Sequence, residues 1–567
     1  MLKIKKLYTE PSIIEPISFE NGLNFILGVE DETSNKTNGV GKSLSIEFIN
    51  FVLMKRKSNS RVSLVPSSIL PKETSICLDL EIDGEEYTIK RSIEKAEEPF
   101  LIFDDRVTTF SKAEDLTAFL GEKMFAHAEG QYPSFRIMMG PLIRDERSEF
   151  KSIVGCYDTN ERASDDYSPH LYLLGLSVDI YRSIKAAIIQ IDDLTRDIKK
   201  IKENVLLLRQ KDIQDARSDL NELDSEVAEI ERSIDALENV SGYEFIKGDI
   251  IELEDSLESL RREKALLGQQ LTRTKLITSE RPLDNEEVSE FYAQISARLG
   301  ELIKHDLDQV FEFKKKIDEY QNQLIREQRD TLLSKISGLN DQIGELDRQY
   351  TSKLEVLDQQ GALKNLKQTY AAFQTKADEA SQLRAFIGRC EELEAQKQIA
   401  RSNKESELLR LQSNIIEARK TLESFERTIL DIHEYVQGNR KASFEIKQTS
   451  KKQVVEIVMR IDDDGSHSVE REKVFIYDLA LLLNEDTRKR HPGILIHDNI
   501  FDVDQDTLLK SLRYLTDRAK FDVGQQYILT LNADRLDDVT KRALAPHVRA
   551  EFTKQHRFLK AKYQEQR

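Results

Sequence analysis

The 567 residues could hold several domains, but 33% charged residues, 22 glycines, 11 prolines and no tryptophan suit a modest globular head joined to long exposed helices. A formal net charge of −18 excludes general attraction to nucleic acid and leaves only local basic patches for it. The three cysteines, Cys77, Cys156 and Cys390, form no C-x-x-C pair, which argues against a disulfide framework or a cysteine zinc site. No apolar run approaches the ~18 residues of a membrane span, and Met1 leads straight into strand-like sequence without a signal-peptide core. A soluble, cytoplasmic protein is expected.

Residues 1–177 read as mixed α/β. An apolar run ending Phe25-Ile26-Leu27-Gly28 precedes Asn38-Gly39-Val40-Gly41-Lys42-Ser43, and Leu44 opens a stretch with helix-spaced apolar positions. Strand, glycine loop and helix in this order suit phosphate. The glycines let backbone N–H groups turn inward, the lysine reaches the β/γ-phosphates, and the serine hydroxyl can ligate magnesium. Lys36 stands where the usual first glycine of G-x-x-x-x-G-K-[ST] would fall, and a plain glycine-rich turn before a helix is the bland alternative. Further on, 75–82 and 85–91 flank Asp83-Gly84 and predict a hairpin, whose Arg91 either faces the nucleotide or lies on the surface. A short helix is expected over 112–119, whereas 133–150 mixes apolar, basic and acidic residues without an assignable period.

From Val178 the pattern turns to heptads: Ile184, Ile188, Ile191, Leu194, Ile198, then Leu220, Leu223, Val227 and Ile230. Similar runs pass through Leu332, Ile336 and Leu339 and through Leu408, Leu411 and Ile415, ending at Gly438. Interruptions at Ser241-Gly242 and Gly361, with a helix-breaking 279–285, predict an antiparallel fold-back. Its ascending arm covers 178–278, its tip 279–330 and its descending arm 331–437. Arms of ~100 residues would span on the order of 150 Å. Two coiled coils pairing with other chains are the alternative.

Residues 438–567 return to α/β. A strand is expected over 454–461, a helix over 474–483, a buried strand 493–498 ending in Asp498, and another, 526–531, ending at Asn532. A carboxylate at the end of a buried strand suits magnesium, though an ordinary Asp turn fits too. Basic patches are Lys55-Arg56-Lys57 with Arg61, Lys447 with Lys451-Lys452, and Lys554, Arg557, Lys560, Lys562 and Arg567. Each also reads as a plain solvated face.

With a glycine loop at one end, a carboxylate strand at the other and a fold-back coil between, the chain resembles the SMC-type ATPases, including RecN-like and double-strand-break-repair branches. Three stretches, 494–502 (ILIHDNIFD), 527–534 (YILTLNAD) and 306–313 (DLDQVFEF), are similar to a bacterial SMC-like family first catalogued as a domain of unknown function. That family occurs in ABC-three-component systems linked to defence against phage and plasmids. The Lamassu-type complex is analogous and also uses an SMC-like subunit.

The resemblance implies an α/β ABC-type P-loop ATPase head formed from both chain ends, with a long antiparallel fold-back coiled coil between them. It implies ATP and Mg2+ as cofactors, two heads sandwiching two ATP molecules, and a homodimer through heads or coil tip. Effector and accessory subunits of a defence operon, and DNA through the local basic patches, would be partners; a membrane would not. Carried over, Asn38, Gly39, Val40, Gly41, Lys42, Ser43 and Leu44 surround phosphate, and Ser43 and Asp498 hold the metal. Asn532 takes the switch-histidine position.

Two departures temper this. The glutamate base expected after Asp498 is Asn499, and an amide cannot accept the proton of attacking water; Asp502 or Asp504 would have to orient it. The serine-glycine-glycine signature is missing from 466–473, where only Glu472-Lys473 retains part of it. The implied function is a slowly hydrolysing ATP-dependent sensor or DNA clamp controlling an effector. A nucleotide-stabilised scaffold without turnover and a RecN-like repair ATPase are the alternatives.

Overall fold

The computed structural model describes residues 1–30, 39–125, 133–156, 159, 165–209, 212–238, 247–277, 302–356, 363–449, 452–462 and 467–561. The chain divides into two units, Met1–Ala186 with Lys404–Arg567, and Ala187–Asn403. Among the described residues no helix is long and apolar enough to cross a membrane. All three cysteines are free and buried.

The strands of the first unit are, in chain order, β1 (Leu2–Glu10), β2 (Ile17–Ser18), β3 (Gly22–Gly28), β4 (Ser75–Ile82), β5 (Glu85–Ser92), β6 (Phe100–Phe103) and β7 (Arg106–Thr109). They continue with β8 (Ile143–Arg144), β9 (Ser443–Gln448), β10 (Val455–Arg460), β11 (Ile494–Asp498), β12 (Gln526–Asn532) and β13 (Val548–Phe552). Its centre is a five-stranded sheet of order β13-β3-β12-β11-β8, parallel at every pairing. Three strands come from after residue 490 and two from before residue 145, interleaved, so neither portion could complete the sheet alone. β11 is buried at every position and β12 at all but its last. This is what near-continuous apolar runs become when both faces of a parallel sheet are covered.

Register places the functional ends. Asn532 pairs with Gly28, and Asp498 pairs with Thr530, so the residues that leave these strands emerge side by side.

A second, six-stranded antiparallel sheet has the order β2-β1-β4-β5-β6-β7. Its β4–β5 hairpin turns at Asp83 (φ 50°) and Gly84 (φ 88°), the two positive φ values that a two-residue turn of matching twist demands. Arg91, on β5, neither faces the cleft described below nor lies on the surface. It is 1% exposed and donates to the carbonyls of Phe51, Lys55 and Ala96 at 2.6, 2.6 and 2.7 Å. The guanidinium sits 4.3 Å from the Phe51 ring centroid. It therefore closes the C-terminal end of helix Lys42–Val52, where carbonyls lack intrahelical donors and a cation complements the dipole.

The helix expected over 112–119 spans Ala113–Phe125, and the one expected over 474–483 begins earlier, as His467–Leu483. Residues 133–150 contain helix Phe135–Met138, the two-residue strand β8 and a 3₁₀ turn, Glu146–Ser148. Helix Arg419–Gln437 stops at Gly438, which caps it in the left-handed conformation (φ 74°).

In the second unit the described residues are helical almost throughout: 187–209, Ile213–Glu238, Lys247–Ile277, Leu302–Val356 and 363–403. Ion pairs join Lys202 to Glu394 at 2.9 Å, Asp224 to Arg384 at 2.5 Å and Arg261 to Asp347 at 3.2 Å. One partner's number rises as the other's falls, the mark of antiparallel helices. Beneath them Leu194 and Ile198 pack with Cys390, Leu393 and Ala400, and Val205 and Ala216 with Leu383 and Ile387. Helix Leu302–Val356 runs unbroken through the second half of the expected tip. The expected interruptions at Ser241-Gly242 and Gly361, and the breaker at 279–285, lie outside the described residues.

Candidate functional site

At the C-terminal ends of β3, β11 and β12 a cleft of about 820 Å³ opens, lined in part by Gly39 to Leu44, Asn499, Asp502 and Asn532. In open α/β sheets ligands bind at this end of the strands. The cleft brings together residues from the two ends of the chain, from Gly39 to Ala561. Asn38 lies outside the described residues.

The loop's shape depends on glycine. Gly41 has φ 109° and a Cβ there would fall 2.5 Å from Cβ of Phe558, so no other residue fits without moving that neighbour. Helix Lys42–Val52 starts directly after it, with no acidic residue in its first turn and no side chain capping it. Its first N–H groups and its positive dipole end are left for an anion.

Lys42 is 7% exposed, and its Nζ donates to Asn532 Oδ1 at 2.5 Å. Burial lowers its pKa, against the opposing pull of Asp498, Asp534 and Glu146. Asp498 is buried; its Oδ1 accepts from the Thr530 hydroxyl at 2.7 Å, and the Ser43 hydroxyl bonds to it as well. Burial pushes its carboxyl up to about 6, partly offset by those two hydroxyls, with Glu146 and Asp145 adding to the rise. A carboxylate that is costly to ionise alone, next to a hydroxyl at a helix start, is an oxygen donor set suited to a hard divalent cation. Ser43 and Asp498 thus fit magnesium, and Lys42 with the loop N–H groups fits phosphate.

Asn499 lies in the left-handed region (φ 57°). Its N–H donates to Thr530 Oγ1 at 2.9 Å and its carbonyl accepts from Arg471 at 3.2 Å. Asparagine tolerates this conformation far better than glutamate does, a backbone reason for the amide where a base is expected. Asp502 is on the rim, 71% exposed, with the Arg471 and Arg535 guanidinium groups each 3.8 Å away. Asp504 does not serve the cleft. Its carboxylate caps helix Gln505–Asp517, accepting the N–H and hydroxyl of Thr507 at 2.9 and 2.7 Å. Those bonds hold its pKa low although burial pushes the other way.

Several lining residues escaped the sequence reading of the site. Glu146 arrives because β8 pairs with β11, His497 beside Arg144; a two-residue strand leaves no period to read. Asp534 lies two residues after Asn532, and in the sequence Arg61 and Arg557 stand out only as members of basic patches. The first patch is also partly internal. Lys55 is bound to Glu47 at 2.9 Å and Asp145 at 3.1 Å; Glu47, 2% exposed, accepts in addition from Ser60 and the Arg61 N–H. Lys55 therefore braces the helix behind the loop instead of facing solvent.

Behind Asp498 lies a buried polar cluster. Asp478, on helix His467–Leu483, pairs with Arg144 Nε at 2.5 Å and His497 Nε2 at 2.9 Å, and His497 Nδ1 meets the Tyr527 hydroxyl at 2.9 Å. Burial lowers the pKa of His497 despite Asp478. One paired, hydrogen-bonded network thus ties that helix to β8, β11 and β12.

Residues 428–563 match the family model described as "Uncharacterised protein conserved in bacteria (DUF2326)". This segment contains Asp498, Asn499, Asp502 and Asn532 but not the glycine loop. The uncharacterised protein YydD of Bacillus subtilis (strain 168) is 25% identical over 555 residues, covering 91% of this chain and 90% of its own length. Among solved structures, the Smc head domain with a coiled coil and joint from Pyrococcus yayanosii aligns at TM-score 0.33 and 14% identity, over 94% of this chain and 93% of that one. The Smc head domain with an extended coiled coil, bound to the C-terminal domain of ScpA, from Pyrococcus furiosus aligns at TM-score 0.31 and 12% identity, over 96% and 92%. The chain is thus similar in sequence to a bacterial family and, at low TM-score, to Smc head structures.

Proposed function

We propose that the chain is an SMC-like subunit that binds ATP with Mg2+ in this cleft and hydrolyses it slowly. The observation that carries the reading is the meeting of Lys42, Ser43 and Asn532 in one cleft, with the buried Asp498 hydrogen-bonded to the Ser43 hydroxyl. Magnesium, when bound, would neutralise phosphate charge and polarise the γ-phosphoryl group. Ser43 and Asp498 would hold it there. Lys42, already aimed at the cleft by Asn532, offers phosphate a charge-assisted donor. The helix N-terminus adds N–H groups.

Slow turnover follows from Asn499. Its amide can orient a water by hydrogen bonding but cannot take the water's proton, and Asp502 sits exposed at the rim between two arginines. Nucleotide would then act as a long-lived latch. In a homodimer joined through heads or coil tip, such a latch suits a sensor that clamps DNA through local basic surface and controls an effector in anti-phage or anti-plasmid defence. A second reading, a nucleotide-stabilised scaffold with little turnover, is favoured by the same amide and its left-handed backbone. A RecN-like repair ATPase is a third. The test is ATP turnover by the full chain with and without linear and circular DNA. DNA-stimulated turnover that disappears in Lys42→Ala supports the sensor; binding with no turnover under any condition supports the scaffold.

A further inference from the structure

The segment after β13 is built into the wall of the cleft. β13 runs parallel to β3 with Phe552 beside Gly28, and the Val29 N–H donates to the Phe552 carbonyl at 2.9 Å. A tight turn follows, in which the Thr553 hydroxyl accepts from the Gln555 and His556 N–H groups at 3.2 and 2.9 Å. The chain then comes back onto the glycine loop. The Phe558 N–H donates to the Val40 carbonyl at 3.0 Å, and Arg557 Nη1 donates to the Gly39 carbonyl at 3.0 Å. Phe558 is 2% exposed, its ring edge-on to Phe48 of the following helix at 5.0 Å and to Phe552 at 5.5 Å. The space a Cβ on Gly41 would need is already filled by Phe558.

Arg557 is the chemically distinctive part of this contact. It lines the same cleft as Lys42. Nε is held by the Lys554 carbonyl at 3.0 Å and Nη1 by the Gly39 carbonyl, so the planar head is already oriented. Among the described residues Nη2 has no hydrogen-bond partner and the guanidinium no carboxylate partner. A permanently charged, pre-oriented fork with donors to spare beside a helix N-terminus is the chemistry that binds phosphate oxygens.

We propose that Arg557 is a phosphate-binding residue of the nucleotide site, delivered by segment 553–561, so that nucleotide occupancy and docking of that segment reinforce each other. This rests on the ATP reading above. By linkage, whatever pulls 553–561 off the glycine loop weakens nucleotide, and nucleotide holds the segment down.

The test is equilibrium titration of the full chain with a fluorescent ATP analogue and Mg2+, comparing wild type, Lys42→Ala, Arg557→Ala and Arg557→Lys. Arg557→Ala is expected to raise Kd about tenfold, the scale of one charge-assisted contact. Arg557→Lys should recover only part, because an ammonium cannot hold the loop carbonyl and a phosphate in the same fork. Arg557→Ala binding within twofold of wild type, while Lys42→Ala binds nothing, overturns the proposal and leaves the ATP reading standing. A wild type that binds no nucleotide overturns the ATP reading itself. Should Arg557→Ala not fold, hydrogen exchange on the wild type decides. Peptides spanning 553–561 should gain protection with MgATP, and unchanged exchange at nucleotide saturation refutes the coupling.

Discussion

Replacing Glu472 by glutamine should stabilise the protein at pH 8 and do nothing at pH 4. Glu472 is 5% exposed, on helix His467–Leu483, and Gln437 Nε2 donates to its two oxygens at 2.8 and 2.7 Å. Burial pushes its carboxyl up to about 7 from an ordinary value of 4.5, against the Gln437 bond, with Asp504 adding and Lys510 opposing. The folded protein therefore holds this proton more tightly than the unfolded chain does, and stability falls as pH rises from the unfolded pKa through the folded one. At 1.36 kcal/mol per unit, the penalty is about 3 kcal/mol at pH 8, roughly 1.4 kcal/mol at pH 5.5 and near zero at pH 4. Glu472→Gln removes the ionisation while keeping an acceptor for Gln437. Urea unfolding at these pH values, followed by a probe in the first unit, should show a gain that grows with pH over that window. A variant less stable than wild type by the same amount at pH 5.5 and pH 8 would refute the reasoning, because it would mean that Glu472 contributes a hydrogen bond and no buried charge.

Arg91→Met leaves the Phe51, Lys55 and Ala96 carbonyls without their donor, and should destabilise the first unit by about 3 kcal/mol or more; an unchanged melting temperature would contradict its role. Asn499→Glu should raise ATP turnover about 10²-fold if the rest of the site is competent, and lower the melting temperature because a glutamate at φ 57° is strained by roughly 1 kcal/mol. Normal binding with no gain in turnover favours the scaffold. Cysteines replacing Asp224 and Arg384, whose side chains meet at 2.5 Å, should be joined within one chain by a short bis-maleimide. A pair at Asp224 and Lys397 should not, and the reverse result would mean a different register.

Sequence could show what local pattern encodes. β11 and β12 were legible because strands buried on both faces read as apolar runs, and the Asp83-Gly84 turn because its two positive φ values demand such residues. The glycine loop and Asp498 were legible as chemistry before any geometry. Partner choice was not. Arg91, Lys55, Asp504 and Arg557 are charged residues whose types permit many roles, and only the fold shows them closing a helix, bracing Glu47, capping a helix and holding the Gly39 carbonyl. β8 escaped because a two-residue strand has no period and is specified by its neighbour β11. Asn499 looked like a lost base; its left-handed backbone is visible only in three dimensions.

The central claim is that this cleft holds ATP with magnesium. Calorimetric titration of ATP into the full chain, with Mg2+ and then with EDTA, tests it most directly. One saturable site per chain is predicted, weakened by chelation and abolished by Lys42→Ala. No binding to the wild type, or equal binding by Lys42→Ala, would contradict it.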